Sequence, residues 1–194
     1  MIIIYPAGKI NDYLRLGSEY PHLLIPQVCP DCKEKETFVR VGYYKRWVCT
    51  ENGEFRVRIG RVRCKHCKAS HALLPACLIP NKQSTTEVIA TFLHSRVIEG
   101  KTLNQAMKAA TDQEPSRQKG AAWIKSMVSK LPQIKHFLAQ RLERFKESKP
   151  PARVQSLKIL HMMLEMMFKG WQQAGEALAF YSSHFHREMK MALV

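Results

Sequence analysis

Two pairs of cysteines, Cys29-Pro-Asp-Cys32 and Cys64-Lys-His-Cys67, stand 31 residues apart and take four of the six cysteines in this 194-residue chain. No other feature restricts the fold as much. Four thiolates delivered as two CxxC pairs make the closed tetrahedral S4 shell that zinc prefers, with no position left for water or substrate. Such a site builds structure and performs no chemistry, so one structural zinc ion held by Cys29, Cys32, Cys64 and Cys67 is the expectation. Disulfides would need an oxidising compartment. The opening Met1-Ile-Ile-Ile-Tyr-Pro6 has neither the basic nor the long apolar stretch of a secretory signal, so the expected location is the cytoplasm. Cys49 and Cys77 read as buried apolar thiols. His66 reads as a loop side chain turned away from the metal, and His71 as a surface or capping residue.

Between the pairs the pattern is that of a hairpin. Residues 38–49 are rich in β-branched and aromatic types, Thr50-Glu-Asn-Gly-Glu54 carries an Asn-Gly turn, and residues 55–63 alternate. Knuckle, hairpin and knuckle make a zinc ribbon over residues 29–80. In the return strand Phe55, Val57 and Ile59 share one parity and Arg56 and Arg58 the other, but Arg61 and Arg63 then fall in phase with the apolar set. A bulge at Gly60 would restore the phase. It would place Arg56, Arg58, Arg61 and Arg63 on one face, suited to a phosphate backbone, with Val62 inward. A solvated outer sheet face accounts for this stretch equally well.

After Pro80 the apolar period changes from two to about 3.6. Ser84-Thr-Thr-Glu87 has capping-box form and opens a helix with Val88, Ile89, Phe92, Leu93 and Val97 on one side, closed by Gly100. Residues 102–110 form a short second helix. Ser116 caps a third, whose inner side holds Trp123, Ile124, Met127, Val128 and Leu131. Short helix, turn and capped helix is the order of a helix-turn-helix. On that reading Arg117 and Gln118 meet base edges, guanine and adenine respectively, while Lys119 and Lys125 hold phosphates.

Residues 133–148 continue as a helix, with Ile134, Phe137, Leu138, Leu142 and Phe145 on one face. It ends at a linker near 148–152, marked by Lys149-Pro-Pro151. A stripe of Val154, Leu157, Leu160, His161, Leu164 and Phe168 follows. Met162, Met163, Met166 and Met167 flank it and read as core filling, a partner groove being the alternative. The last helix, residues 174–186, would turn Phe180, Tyr181 and Phe185 inward. No stretch approaches the roughly 18 consecutive apolar residues of a membrane span.

The net charge is +15, distributed as 0, +6, +4 and +5 over residues 1–28, 29–80, 81–131 and 132–194. Positive charge spread over folded segments is the footprint of a nucleic-acid binder.

In sequence order, Cys29-Pro-Asp-Cys32, Val41-Gly-Tyr-Tyr-Lys-Arg46, Ile59-Gly-Arg-Val-Arg-Cys64-Lys-His-Cys67 and Ser70-His-Ala-Leu-Leu-Pro75 resemble the N-terminal zinc ribbon of bacterial insertion-sequence transposases. They are also similar to a related group of small transposase-like proteins, mainly from firmicutes. The likeness covers about residues 25–130. It implies a ribbon followed by a helix-turn-helix that grips the terminal repeats of the element, and then a catalytic domain with three acidic residues. The last part has no counterpart in the pattern. The aspartates are Asp12, Asp31 and Asp112, none later, and Glu143, Glu147, Glu165, Glu176 and Glu188 fall on helical stretches. No glycine-rich phosphate loop, nucleophile elbow or HExxH pair is present.

The sequence therefore predicts an α+β chain: an N-terminal extension over 1–28, a zinc ribbon over 29–80, a helix-turn-helix region over 81–131 and C-terminal helices over 132–194. The expected function is zinc-stabilised, sequence-specific binding of double-stranded DNA without catalysis, in a protein related to mobile-element transposases. The C-terminal helices offer a route to a homo-oligomer. Two alternatives remain: a ribbon protein of RNA or the ribosome, and a protein-binding inhibitor encoded by a mobile element.

Overall fold

The alternation between the knuckles does form a hairpin, and the hairpin is the middle of a larger sheet. The computed structural model describes residues 2–5, 10, 13, 27–112, 116–141, 156–169, 171 and 174–189. Strands β1 (Ile2–Tyr5), β2 (Phe38–Thr50), β3 (Gly53–Cys64) and β4 (Ser70–Pro75) are ordered β1-β4-β3-β2, and helices follow, giving an α+β fold. Strands β2 and β3 are antiparallel from Phe38 opposite Cys64 to Thr50 opposite Gly53, so Glu51 and Asn52 make the turn. Strand β4 adds antiparallel to β3, and β1 adds parallel to β4, pairing Ile2 with Ala72 through Tyr5 with Pro75. The N-terminal segment read as an extension thus supplies a strand. It also supplies Ile10 and Tyr13 to the sheet core, and the Tyr13 hydroxyl donates to the Arg58 carbonyl.

The parity change in β3 is present: Val57, Ile59 and Val62 are buried in one cluster while Arg56, Arg58, Arg61 and Arg63 are exposed. The register shift of the pair does not lie at Gly60, where the bulge was read. The register breaks between Arg40 and Gly42, so the extra residue is Val41 on the facing strand. Gly42 has φ of +106°, a conformation that side chains strongly disfavour.

The helical part begins with α1 (Thr86–Leu93), which runs into a π-helical turn over His94–Ile98. Its cap is Thr85, whose Oγ1 accepts from the Val88 N–H at 3.4 Å, rather than the buried Ser84. Helix α2 (Leu103–Ala110) opens with a full capping box, Thr102 and Gln105 satisfying each other's backbone N–H. Helices α3 (Arg117–Ser129), α4 (Leu131–Arg141), α5 (Ser156–Phe168) and α6 (Ala174–Met189) complete the described residues. Ser116 caps α3, as its position predicts, by accepting from the Lys119 N–H at 3.2 Å.

Phe92, Met107, Trp123, Met127, Phe137, Leu160, Met163, Met167 and Phe185 share one core. Two of the four clustered methionines are therefore core filling, while Met162 and Met166 are half-buried. Phe180 is not turned inward. It is 39% exposed and stacks against Trp171 and the ring of His184. The linker Lys149-Pro-Pro151, and with it Leu142, Phe145 and Val154, lies outside the described residues.

Hydrogen bonds join sheet and helices across the predicted boundary at residue 80. Cys49 N–H donates to the Gln83 carbonyl at 2.7 Å and Thr85 N–H back to the Cys49 carbonyl at 3.0 Å, while Arg46 donates to the Ile79 carbonyl, just before that boundary, at 2.8 Å. At the hairpin tip Thr111 Oγ1 donates to the Thr50 carbonyl at 3.0 Å, and Asp112 N–H to Glu51 at 3.1 Å. The tip is thereby fixed to the C-terminal end of α2.

Candidate metal centre and arginine face

Each knuckle is a Cys-x-x-Cys-Lys turn closed by its own backbone. Lys33 N–H donates to the Cys29 carbonyl at 2.9 Å, and Cys64 N–H to Ala69 at 2.9 Å. The residue after each pair, Lys33 and Lys68, takes positive φ, 66° and 61°, which folds the second cysteine back over the first. Pairing of Phe38 with Cys64 brings the two knuckles together at one end of the hairpin.

The four sulfurs of Cys29, Cys32, Cys64 and Cys67 lie within 4.8 Å of one another. Cys29 and Cys67 are 3.8 Å apart, and Cys32 and Cys64 3.7 Å. A tetrahedral thiolate shell with bonds of about 2.3 Å has edges of roughly 3.8 Å, so the spacing suits a metal ion. Among the described residues no other group of histidine, cysteine and carboxylate side chains could hold one.

The protonation of these thiols points the same way. Burial opposes the Cys64 thiolate, but hydrogen bonds from Thr37 Oγ1, at 3.1 Å, and from the backbone N–H groups of Cys67 and His66 outweigh it and bring the pKa down to about 6. At Cys67 the Ala69 N–H favours the thiolate, yet desolvation and the neighbouring sulfurs push the pKa up to about 12. Cys32 is raised as well, despite the Glu34 N–H, by desolvation and by Cys29 and Cys64. Cys64 ionises readily, and Cys32 and Cys67 resist becoming anions beside it. A cation among them removes that resistance.

His71, read as a surface or capping residue, is instead buried at 1% exposure beneath the metal end of the sheet. Its Nε2 lies 3.9 Å from Cys29 Sγ and 3.8 Å from Asp31, and its ring meets Phe38 edge to face. Burial, partly offset by Asp31, lowers its pKa and keeps it neutral. Cys49 and Cys77 are buried, as read, and lie outside the sulfur cluster; Cys49 Sγ is 3.7 Å from Thr111 Oγ1. His66 is exposed in the second knuckle.

Arg56, Arg58, Arg61 and Arg63 share the solvent face of β3, because Val57, Ile59 and Val62 occupy the other. Among the described residues none of the four has a carboxylate partner. The facing strand adds side chains that the residue pattern alone did not single out. Trp47 and Tyr43 are 48% and 53% exposed, with Lys45 between them. The Arg56 guanidinium sits 4.8 Å from the Trp47 ring centre and that of Arg58 4.9 Å from Tyr43. Once β2 is placed opposite β3, alternation from Trp47 back to Tyr43 identifies these rings as outward.

On α3, Arg117, Gln118 and Lys125 are exposed and Lys119 is half-buried. Gln118 and Lys125 are seven residues apart, two turns along the same side. The hairpin tip, at the Trp47 end of the arginine face, is bonded to Thr111 and Asp112 at the end of α2.

A family profile described as a domain of unknown function, DUF6431, matches residues 29–113. The matched segment starts at the first cysteine of the cluster and stops just past the turn that holds the hairpin tip. Neither a curated protein nor a solved structure matches the chain.

Proposed function

We propose that this chain is a zinc-stabilised, sequence-specific binder of double-stranded DNA, related to mobile-element transposases and working without a catalytic step of its own. The observation that carries the reading is the row of four arginines on β3, none with a carboxylate partner among the described residues, with the cysteine cluster at one end and the bond from Thr111 to the hairpin tip at the other. Zinc is the ion that four thiolates at these spacings suit best, and it holds the row rigid rather than reacting. Arg56, Arg58, Arg61 and Arg63 neutralise phosphates. Arg117 and Gln118 read base edges, with Lys119 and Lys125 on the backbone. The resemblance of residues 25–130 to the ribbon and helices of insertion-sequence transposases supports the same reading.

Catalysis is left out because the described aspartates do not converge. Asp31 lies in the first knuckle, and Asp112 at the hairpin seam. The test is the salt dependence of duplex binding. Each phosphate neutralised contributes about 0.9 to the log-log slope, so four arginines alone cost on the order of a hundredfold in affinity between 50 and 200 mM salt. Flat binding over that range refutes the proposal. Selection of bound duplexes from a random library should return a motif that changes with Arg117→Ala, and an unchanged motif removes α3 as the reader.

A further inference from the structure

We infer that the outward face of the β2–β3 hairpin is a stacking platform for unpaired bases of single-stranded DNA, with Trp47 and Tyr43 as the platforms. The inference rests on the nucleic-acid reading of the arginine row and adds the form of the ligand. A duplex backbone needs only cations from this face. Two rings, each about half exposed, have no use on a surface that meets phosphates alone, and they are costly to leave in water.

Their arrangement is specific. Trp47 and Tyr43 stand on the same side of β2, four residues and so roughly 13 Å apart, with Lys45 between them. Each ring carries a guanidinium from the neighbouring strand, Arg56 on Trp47 and Arg58 on Tyr43. Such a stack holds the ring in place while another part of it stays open to solvent. Aromatic rings alternating with cations along a strand are what a single strand requires: bases stack on the rings, whatever their sequence, and phosphates lie between them on the cations. Charge complementarity identifies the occupant as polyanionic, since Lys45, Arg56, Arg58, Arg61 and Arg63 line the face and only Glu54, at the turn, shares its parity. The platform begins beside the tip that is bonded to the end of α2.

The test compares oligo(dT), a blunt duplex, oligo(rU) and poly-glutamate, each binding the full zinc-loaded protein. The readouts are anisotropy and tryptophan emission in a Trp171→Phe background. Trp123 is only 3% exposed, so quenching there reports Trp47. Oligo(dT) should quench the emission. Trp47→Ala and Tyr43→Ala should each weaken oligo(dT) about 5- to 150-fold, the range expected for one lost base stack. Trp47→Phe should recover most of that loss, and the salt slope should stay unchanged because no phosphate contact is removed. Arg117→Ala should weaken the duplex and spare oligo(dT).

If Trp47→Ala lowers thermal stability but leaves oligo(dT) affinity intact, the rings only brace the hairpin and the inference fails. Tighter binding of oligo(rU) overturns the assignment to DNA. Binding of poly-glutamate with the same loss on Trp47→Ala makes the face a protein dock and also overturns it. Salt-sensitive duplex binding without oligo(dT) quenching keeps the duplex reading and removes this one. No binding of any nucleic acid removes both.

Discussion

The sheet and the helices bury their apolar side chains in two separate clusters, and they are held together differently. Among the described residues the sheet cluster has ten buried members and the helical cluster twenty-two. The sheet packs on one face only, leaving the other to arginine, lysine and two rings. At one end of it Cys29, Cys32, Cys64 and Cys67 meet in a cluster that could hold a metal ion and so staple the sheet. The helices have no such staple and rely on close approach. A Cβ on Gly120 in α3 would come within 2.6 Å of Phe92, and one on Gly175 in α6 within 2.9 Å of the Glu87 backbone. A face left to exposed charges and rings buries little apolar area, so cross-linking at the cysteine cluster fits the sheet and dense packing fits the helices.

Removing the zinc proposed for the cysteine cluster should break this comparison open most widely. Structural zinc contributes on the order of 10 kcal/mol or more in small domains, so Cys64→Ser, or a strong chelator, should unfold the sheet. Hydrogen exchange is the measurement: amides of β2 and β3 should lose protection while those of α1, α5 and α6 keep theirs. Simultaneous loss everywhere would mean that the two clusters form one cooperative unit. A purified, fully folded chain containing less than one zinc would remove the metal altogether.

The next effect lies on the helical side. Gly120→Ala pushes a methyl group into Phe92, which is fully buried, and toward Met107 Sδ at 3.1 Å. Overpacking of this kind costs about 1–3 kcal/mol. The unfolding free energy from urea titration should fall by that amount, with a lower midpoint and zinc content unchanged, since the clash is confined to the helical cluster.

How much of this was readable from residues alone follows the same division. The cysteines, the hairpin and the Ser116 cap are local signals, set by spacing over a few residues, and each is found where the pattern puts it. Strand β1 was missed because its partner β4 lies some 70 residues away and Ile2-Ile-Ile4 has no alternation to mark a strand. The register shift lies on β2, where an extra residue leaves the alternation of β3 unmarked, and Gly42, at positive φ, was the better clue to it than Gly60. His71 was misplaced because a polar residue after a knuckle looks solvated until β4 joins the sheet and turns it under the sulfurs. Trp47 and Tyr43 were legible as strand formers, but the side they face depends on β3 opposite them.

A smaller change probes the seam itself. Thr111→Val removes the hydroxyl that donates to the Thr50 carbonyl at 3.0 Å and leaves a buried acceptor short of a partner, which costs about 1–3 kcal/mol. Because that bond ties hairpin tip to helix turn, the loss should appear as reduced coupling: sheet and helical amides should exchange at more widely separated denaturant concentrations than in the unaltered protein. Equal destabilisation of both regions would show that other contacts, such as Arg46 to Ile79, carry the coupling.

The mildest change, Thr102→Ala, should touch only the helical side. Thr102 Oγ1 accepts from Gln105 N–H at 3.3 Å, and Gln105 Oε1 accepts from Thr102 N–H at 3.0 Å, so the substitution opens one half of a reciprocal cap and loosens the other. Loss of an N-cap costs about 1 kcal/mol, whereas Thr102→Ser keeps the oxygen and should cost only a small part of it. The site is exposed and distant in sequence from the knuckles, so zinc affinity and the exchange of β2 and β3 amides should not move. If they do, strain from the start of α2 reaches the sheet through Thr111 at its other end. The separation into a stapled half and a packed half would then have to give way to a single body in which the metal also orders the helices.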